Sequence, residues 1–493
     1  MRDKMSRLQA LRLGAAATLG AVTGGLAGLA TRNLSSPSPS TAPTLVSDLS
    51  PGNPPLENRK AFIESLSGTD GHVVLEAGDY LFDNSYPGSE DSGITVRDFR
   101  GRLTMLPAAR LVFTDPTKRG LRFRGGTGAV IEGWNSAFQT APTIRHNARE
   151  LLAFTETEDT LVLNCRIEGS AAAGLLFEQC LRPQVIGLYV RDTMADGLHF
   201  ANCQDVRATG VVTRDTGDDG VAFVNYGGRP DYRGGAASDI RVHRAAARGI
   251  SVIGQSEVSV DNFSVEDTAA SGLIVAREEA YDTRVPSNVR LSNGTVKNAG
   301  ALSESREPGD GTPRDGLFLG GVGENVAIND VSLLRSRERG VQALYGDNSP
   351  RVRLNNVYVK EAGSEGVRLR DQAQVSLDEV CVEGSAGVGF EFLDNDRVDY
   401  GRLLATDTCR ANTSNRAFNF ERNRLIHGEL LQIQASDQSS EYLGTGVNAS
   451  GTHEASGEPQ RGVYGRIDHL VEPPPAEFFF SNPSELTGTT QGL

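Results

Sequence analysis

The chain is poor in several things at once. It has one tryptophan in 493 residues. It has no long basic run, and its 49 Lys and Arg are outnumbered by 63 Asp and Glu, for a formal net charge of −14. That balance argues against nucleic acid as a partner. Its five cysteines are an odd number at no metal-like spacing, so neither a disulfide framework nor a zinc site is indicated. Beyond residue 150 no helical period is sustained. What remains is glycine in quantity, 56 residues, with hydrophobics at 38%. This mixture suits a turn-rich β protein with many small-residue corners.

The N-terminus reads apart from the rest. MRDKMSRLQALR is basic, and LGAAATLGAVTGGLAGLA is weakly apolar and ends in small residues. Residues 1–31 therefore read as an export signal, with a membrane anchor as the alternative. The apolarity is as weak as in a twin-arginine signal, but Arg-Arg is absent, so the route stays open. Residues 32–54 are Ser- and Pro-rich and are expected to be a flexible linker. Export implies a secreted, periplasmic or cell-surface workplace, with no stable membrane insertion once the signal is removed.

LENRKAFIESL, after Pro54 and Pro55, is predicted to be a short helix with Leu56, Ile63 and Leu66 on one side. It would cover the open end of a stack of strands. VVLEAGDYLF reads as the first strand pair. From residue 150 a glycine precedes an apolar-x-apolar triplet at Gly174, Gly197, Gly220, Gly249, Gly272, Gly316, Gly340, Gly366 and Gly389. Most steps are 23 to 26 residues, one is 29, and one of 44 reads as two turns with the middle glycine lost. A second register of alternating segments, such as PQVIGLYV and QDVRATGVV, runs through the same units. Repeats of this length without helices predict an all-β, single-stranded right-handed parallel β-helix over residues 55–435, with an N-terminal capping helix. The fixed leucine and asparagine spacing of a leucine-rich repeat is missing. Residues 436–493 read as a C-terminal cover or tail.

In the strand after the glycine, Leu175/Phe177, Leu198/Phe200 and Val221/Phe223 are expected to point inward. The middle residues, His199 and Ser251 among them, point outward. Gln179, Asn202 and Asn225 are expected to form an amide ladder at a corner. Cys180 and Cys203 hold equal positions in adjacent coils, which leaves a disulfide and a pair of free thiols both open.

ADGLHFAN and DDGVAFVN, one coil apart, carry Asp196, Asp218 and Asp219. Equal positions in adjacent coils stack about 4.8 Å apart, so three carboxylates should crowd one outer patch. Like charges this close shift one another's pKa, leaving one protonated while another stays ionised. An acid beside a base is what glycosidic bond cleavage needs. The plainer reading is Asp-Gly turn chemistry. Asp315 and Glu365 also precede a repeat glycine, each expected without a charged neighbour in the stack. Asp192, Asp215 and Asp267, each followed by Thr, read as turn residues. Such a cluster also suits a calcium ion, but no cofactor and no metal site is expected.

The order Asp-Gly, then Asp-Asp one coil on, then a basic residue before Gly-Ile-Ser, resembles glycoside hydrolase family 28, the polygalacturonases, and their β-helix relatives. The resemblance covers about Asp192 to Gly254. It implies an inverting hydrolase with Asp218 as general acid and Asp196 with Asp219 activating water. Two departures stand out. Arg248 sits where the family has histidine, and Ile274 and Ala276 sit where it has an Arg/Lys pair for the substrate carboxylate.

Around the cluster, the longer coils supply loops. Tyr226, Arg229, Tyr232 and Arg233 are candidate cleft walls. His199 is a candidate for binding a sugar hydroxyl or assisting proton transfer, against the plainer reading of an exposed strand histidine. Arg248 either contacts an anionic group or balances the aspartates. Trp134 reads as packing. The expected partner is a carbohydrate. The alternatives to a glycoside hydrolase are a polysaccharide lyase or uronate epimerase, and a non-catalytic surface or binding β-helix.

Overall fold

The computed structural model describes residues 44–45, 48–85, 93–302, 312–344, 351–411 and 416–434, and the strands 446–450, 461–463, 466–470 and 490–492. Residues 1–31 and most of residues 32–54 lie outside these residues, as does most of the 436–493 tail. The chain winds as a right-handed parallel β-helix. Among the described residues one sheet stacks fourteen short strands, and the other gathers the longer ones; the pairing from coil to coil is parallel.

The repeat glycines explain themselves by close approach. A Cβ on Gly197 would meet the carbonyl oxygen of Gly220 at 2.6 Å and Thr213 Cγ2 at 2.5 Å. Gly220, Gly249, Gly340 and Gly366 face the next coil's carbonyl in the same way, with valine methyls on the other side. Only a residue without a side chain lets each coil turn this tightly against the core. The inward residues then stack in register. Phe154, Phe177, Phe200 and Phe223 form a column with ring centroids 4.9 to 5.4 Å apart. Trp134 is buried, donates its indole N–H to Ser136 Oγ at 2.7 Å and meets Phe123 edge-on. It is a packing residue.

The long strands bend at left-handed residues, Asn164, Gly187, Gly210 and Asp239 in successive coils. Asp192, Asp215 and Asp267 hold left-handed backbone at another corner. Asn202 donates to Asn225 Oδ1 at 2.7 Å, so the amide ladder has these two rungs, while Gln179 turns the chain with φ of 55°. None of the five cysteines is in a disulfide, Cys180 and Cys203 included.

Several expectations are corrected. The 44-residue step is one coil, not two: Leu273–Ala276 pairs directly with Leu317–Gly320. The intervening residues carry that coil's other strand, Arg290–Lys297, paired with Ser256–Thr268 and Val326–Leu334, so the extra length lies to either side of it, the insertion before Arg290 among it. His72–Leu75 and Gly78–Phe82 do not pair with each other; each pairs with a strand of the next coil. The helix Pro55–Leu66 buries Asn58, Ala61, Phe62 and Leu66 instead of a Leu56–Ile63–Leu66 stripe. Phe62 meets Phe82 edge-on at 5.3 Å, which anchors the helix over the first coils. The end of the linker is folded, since Thr44–Leu45 pairs with Val73–Val74. Strand pairing also continues past residue 435, as far as Thr490–Gly492.

Candidate active site

Asp196, Asp218 and Asp219 come together as the stacking register requires, with one oxygen of each within 4.8 Å of the others. They open onto a pocket of about 210 Å³. Each contact around them has a specific origin in the coil. Asp196 Oδ1 accepts the Asp219 amide N–H at 3.0 Å, and Asp219 Oδ1 accepts the Arg248 amide N–H at 2.9 Å. Asp315, which is not in the pocket lining, accepts the Arg339 amide in the same way at 3.0 Å. This contact is therefore a stacking device of the Asp-Gly corner and carries no chemistry by itself.

The second oxygens differ. Asp196 Oδ2 lies 2.6 Å from His199 Nδ1, and Asp219 Oδ2 accepts the Ser251 hydroxyl at 2.6 Å. Both carboxylates are buried. Asp218 makes no such corner contact. Its Oδ2 meets Arg145 at 2.7 Å, and its side chain is the most exposed of the three.

These surroundings push the groups apart. Burial, reinforced by the charges of Asp196 and Asp219, raises Asp218 to about 7 against the pull of Arg145. Asp196 goes the other way. Burial opposes its ionisation, but His199, the Asp219 amide and Arg145 outweigh it and hold its pKa below the usual range. His199 is raised, since Asp196 and the other aspartates overcome the cost of burying its charge. Burial raises Asp219 too, while Arg248 and Ser251 pull it back. An acid that is half protonated near neutral pH thus sits beside a fixed carboxylate. A raised pKa alone does not mark a site, because burial lifts Asp315 to about 7 as well. Convergence on an open pocket distinguishes the trio.

Of the other residues singled out in the sequence, His199, Arg248 and Tyr226 line the pocket. His199 is half-buried, not a solvent-exposed strand histidine. Arg248 bonds Glu278 and lies 3.8 Å from Asp219, so it balances carboxylates of the chain itself. Burial and the surrounding carboxylates raise Tyr226 to about 12, leaving a neutral phenol. Arg229, Tyr232 and Arg233 are not in the pocket lining. Arg233 pairs with Asp231 at 2.7 Å, and the carbonyls of Arg229 and Tyr232 accept from Arg284 and Asn225. Asp315 and Glu365, expected to lack a charged neighbour, share Arg339, which lies 3.6 and 2.9 Å from them.

Sequence reasoning missed Arg145, Glu278 and Tyr281, all in the pocket lining. Arg145 precedes the regular repeat, so no register pointed to it. Glu278 and Tyr281 lie in the insertion of the long coil, which was visible as extra length but not as chemistry. Where the family resemblance would place a cation, Ile274 and Ala276 are buried in a small apolar cluster with Ala222, Val224 and Ile253.

No protein-family model and no curated protein matches the sequence. Solved structures do match the fold. The catalytic unit of a thermostable family 87 α-1,3-glucanase from Streptomyces thermodiastaticus is 16% identical with a TM-score of 0.55, covering 76% of this chain and 69% of that one. The family 28 exopolygalacturonase of Yersinia enterocolitica is 15% identical with a TM-score of 0.50, covering 72% and 78%. The A-module of the Azotobacter vinelandii mannuronan C-5 epimerase is 12% identical with a TM-score of 0.43, covering 81% and 98%. The chain shares the parallel β-helix fold with the first two of these structures.

Proposed function

We propose that the protein is an exported glycoside hydrolase in which Asp218 is the general acid and Asp196 with Asp219 orients and deprotonates water. The observation that carries this reading is the contrast within the trio: Asp218, raised to about 7, is the more exposed carboxyl at the pocket, and Asp196 behind it is held ionised. Asp218 gives its proton to the glycosidic oxygen as the bond to the anomeric carbon breaks. Water attacks that carbon, and its proton passes to the Asp196/Asp219 pair. The fold neighbours that act on glycans support a carbohydrate as substrate, and the basic-then-apolar N-terminus supports export.

Inversion is the proposed outcome. The carboxyl oxygens lie closer than the roughly 6.5–9.5 Å separation common between two carboxyl groups of inverting enzymes, and nearer the ~5–5.5 Å of retaining ones. The burial of Asp196 and Asp219 nonetheless supports inversion. A nucleophile must reach the anomeric carbon itself, whereas each of these carboxylates has one oxygen tied to the next coil's amide and the other to His199 or Ser251. A small water can bridge what they cannot reach.

The test is hydrolysis of a broad glycan panel by the purified chain and by Asp218→Asn, with the anomer of fresh product read by NMR. Release of sugar that disappears in a folded Asp218→Asn variant supports the reading. Products with an unsaturated ring would replace it with a lyase, and a retained anomer would remove inversion.

A further inference from the structure

The insertion that enlarges the long coil does more than lengthen it. Its residue Glu278 bonds Arg248, the same arginine whose amide holds Asp219. Thr283 closes the segment on itself, its hydroxyl accepting the Glu278 amide at 2.7 Å and its own amide donating back to the Glu278 carbonyl at 3.2 Å. The Arg284 amide donates to the Asn225 carbonyl, docking the insertion on the neighbouring loop. Between these ties the short turn Glu279–Tyr281 ends at Asp282 in left-handed backbone, φ 51°. This fixed frame holds Tyr281 at the pocket with 61% of its surface exposed.

That exposure is unusual in this molecule. Among the described residues, four large hydrophobics stand out in solvent: Leu106, Ile144, Ile186 and Tyr281. Tyr281 lines the pocket, and Ile144 adjoins Arg145, which lines it too. Tyr226 and Phe318 pack on the apolar cluster beneath, but Tyr281 is not among its members. A packed aromatic ring would remove a large area from water, and here most of that area is left open on a turn pinned to the aspartate trio.

The charge of the pocket narrows what the ring faces. Its two guanidiniums are held by carboxylates of the chain, Arg145 by Asp218 and Arg248 by Glu278 and Asp219. A sugar carboxylate would have to displace one of these and would meet four acidic residues. Ala222, Val224 and Ile253 also line the pocket, almost fully buried, so that the wall behind its carboxylates is apolar.

We propose that the insertion 277–286 forms a subsite for an uncharged sugar ring, with Tyr281 as the platform on which the ring stacks. The proposal rests on the glycoside hydrolase reading. The full chain carrying Asp218→Asn is tested for binding neutral gluco-, galacto- and manno-oligosaccharides beside oligogalacturonate and oligomannuronate of equal length. A neutral glycan is expected to bind. Adding Tyr281→Ala should weaken that binding about five- to tenfold, and adding Tyr281→Phe should keep the parent's affinity. Unchanged affinity in the alanine variant, or preference for a uronate, overturns the subsite and leaves the hydrolase reading standing. Failure of the parent to bind any glycan overturns both.

Discussion

Asp218 and Arg145 meet at 2.7 Å although 73 residues separate them in sequence. The pair sets the proton affinity of the proposed acid. Burial and two neighbouring carboxylates raise Asp218, and Arg145 restrains the rise to about 7. Removing the guanidinium with Arg145→Met should therefore lift the pKa further. The alkaline limb of the pH profile of kcat/KM, where the acid is lost, then moves to higher pH. A limb that stays in place, or moves down, would mean that Asp218 is not the acid or that Arg145 does not act on it.

Asp218 also links activity to stability with a definite sign. Its folded pKa of about 7 lies above its ordinary 3.8. Between those values the folded state binds the extra proton, so this group's contribution falls as pH rises from about 4 to about 7. Asp218→Asn removes the penalty of ionising there. The variant should be inactive yet gain stability relative to the parent at pH 8, by roughly 1–3 kcal/mol, and gain little at pH 5. Thermal midpoints of both proteins at the two pH values measure this. An equal change at both would sever the link.

His199 and Asp196, 2.6 Å apart, shift each other in opposite directions. Asp196 is depressed, so its contribution to stability is present above the unfolded pKa of about 4 and is lost as pH falls through its folded value. His199 is raised, so its contribution is complete below about 6.5 and is lost as pH rises through its folded value. Their joint stabilisation is greatest between. His199→Gln should flatten stability across that window and let the pKa of Asp196 rise. The acid limb of kcat/KM then moves up, with activity near neutrality lower by about 10²-fold. A normal acid limb in this variant would make His199 a packing residue.

The legible part of this molecule is the part that repeats. Gly197, Gly220 and their counterparts recur because each coil must pass within about a van der Waals radius of the next, and that requirement writes a period into the chain. Once the period is read, Asp196 and Asp219 fall into register and their meeting follows. What does not repeat could not be read. Arg145 reaches the pocket from a segment before the regular units, and Glu278 and Tyr281 reach it from an insertion whose path depends on docking against Asn225 and Gly227. The insertion's length was even misread as a second turn, because a lost glycine and an added loop look alike without the pairing of Leu273 with Leu317. Arg229, Tyr232 and Arg233 failed to reach the pocket for the converse reason: nearness in sequence to Asp219 says nothing about which way a loop folds.

Asp315 supplies the control that separates a buried Asp-Gly corner from a working site. It shares the amide contact of Asp196 and Asp219, and burial lifts it to about 7 as it lifts Asp218. It has Arg339 beside it but does not line the pocket of the trio. If convergence on that pocket is what makes an aspartate catalytic here, Asp315→Asn keeps glycan hydrolysis at the parent's kcat. Its side-chain oxygen still accepts the Arg339 amide. Stability should rise relative to the parent above pH 7, where the parent must ionise a buried carboxyl or hold it protonated against the solvent. Kinetics and thermal midpoints at pH 6 and 8 measure both. Loss of activity in a folded Asp315→Asn variant would place the chemistry elsewhere along the β-helix and overturn the assignment to Asp196, Asp218 and Asp219.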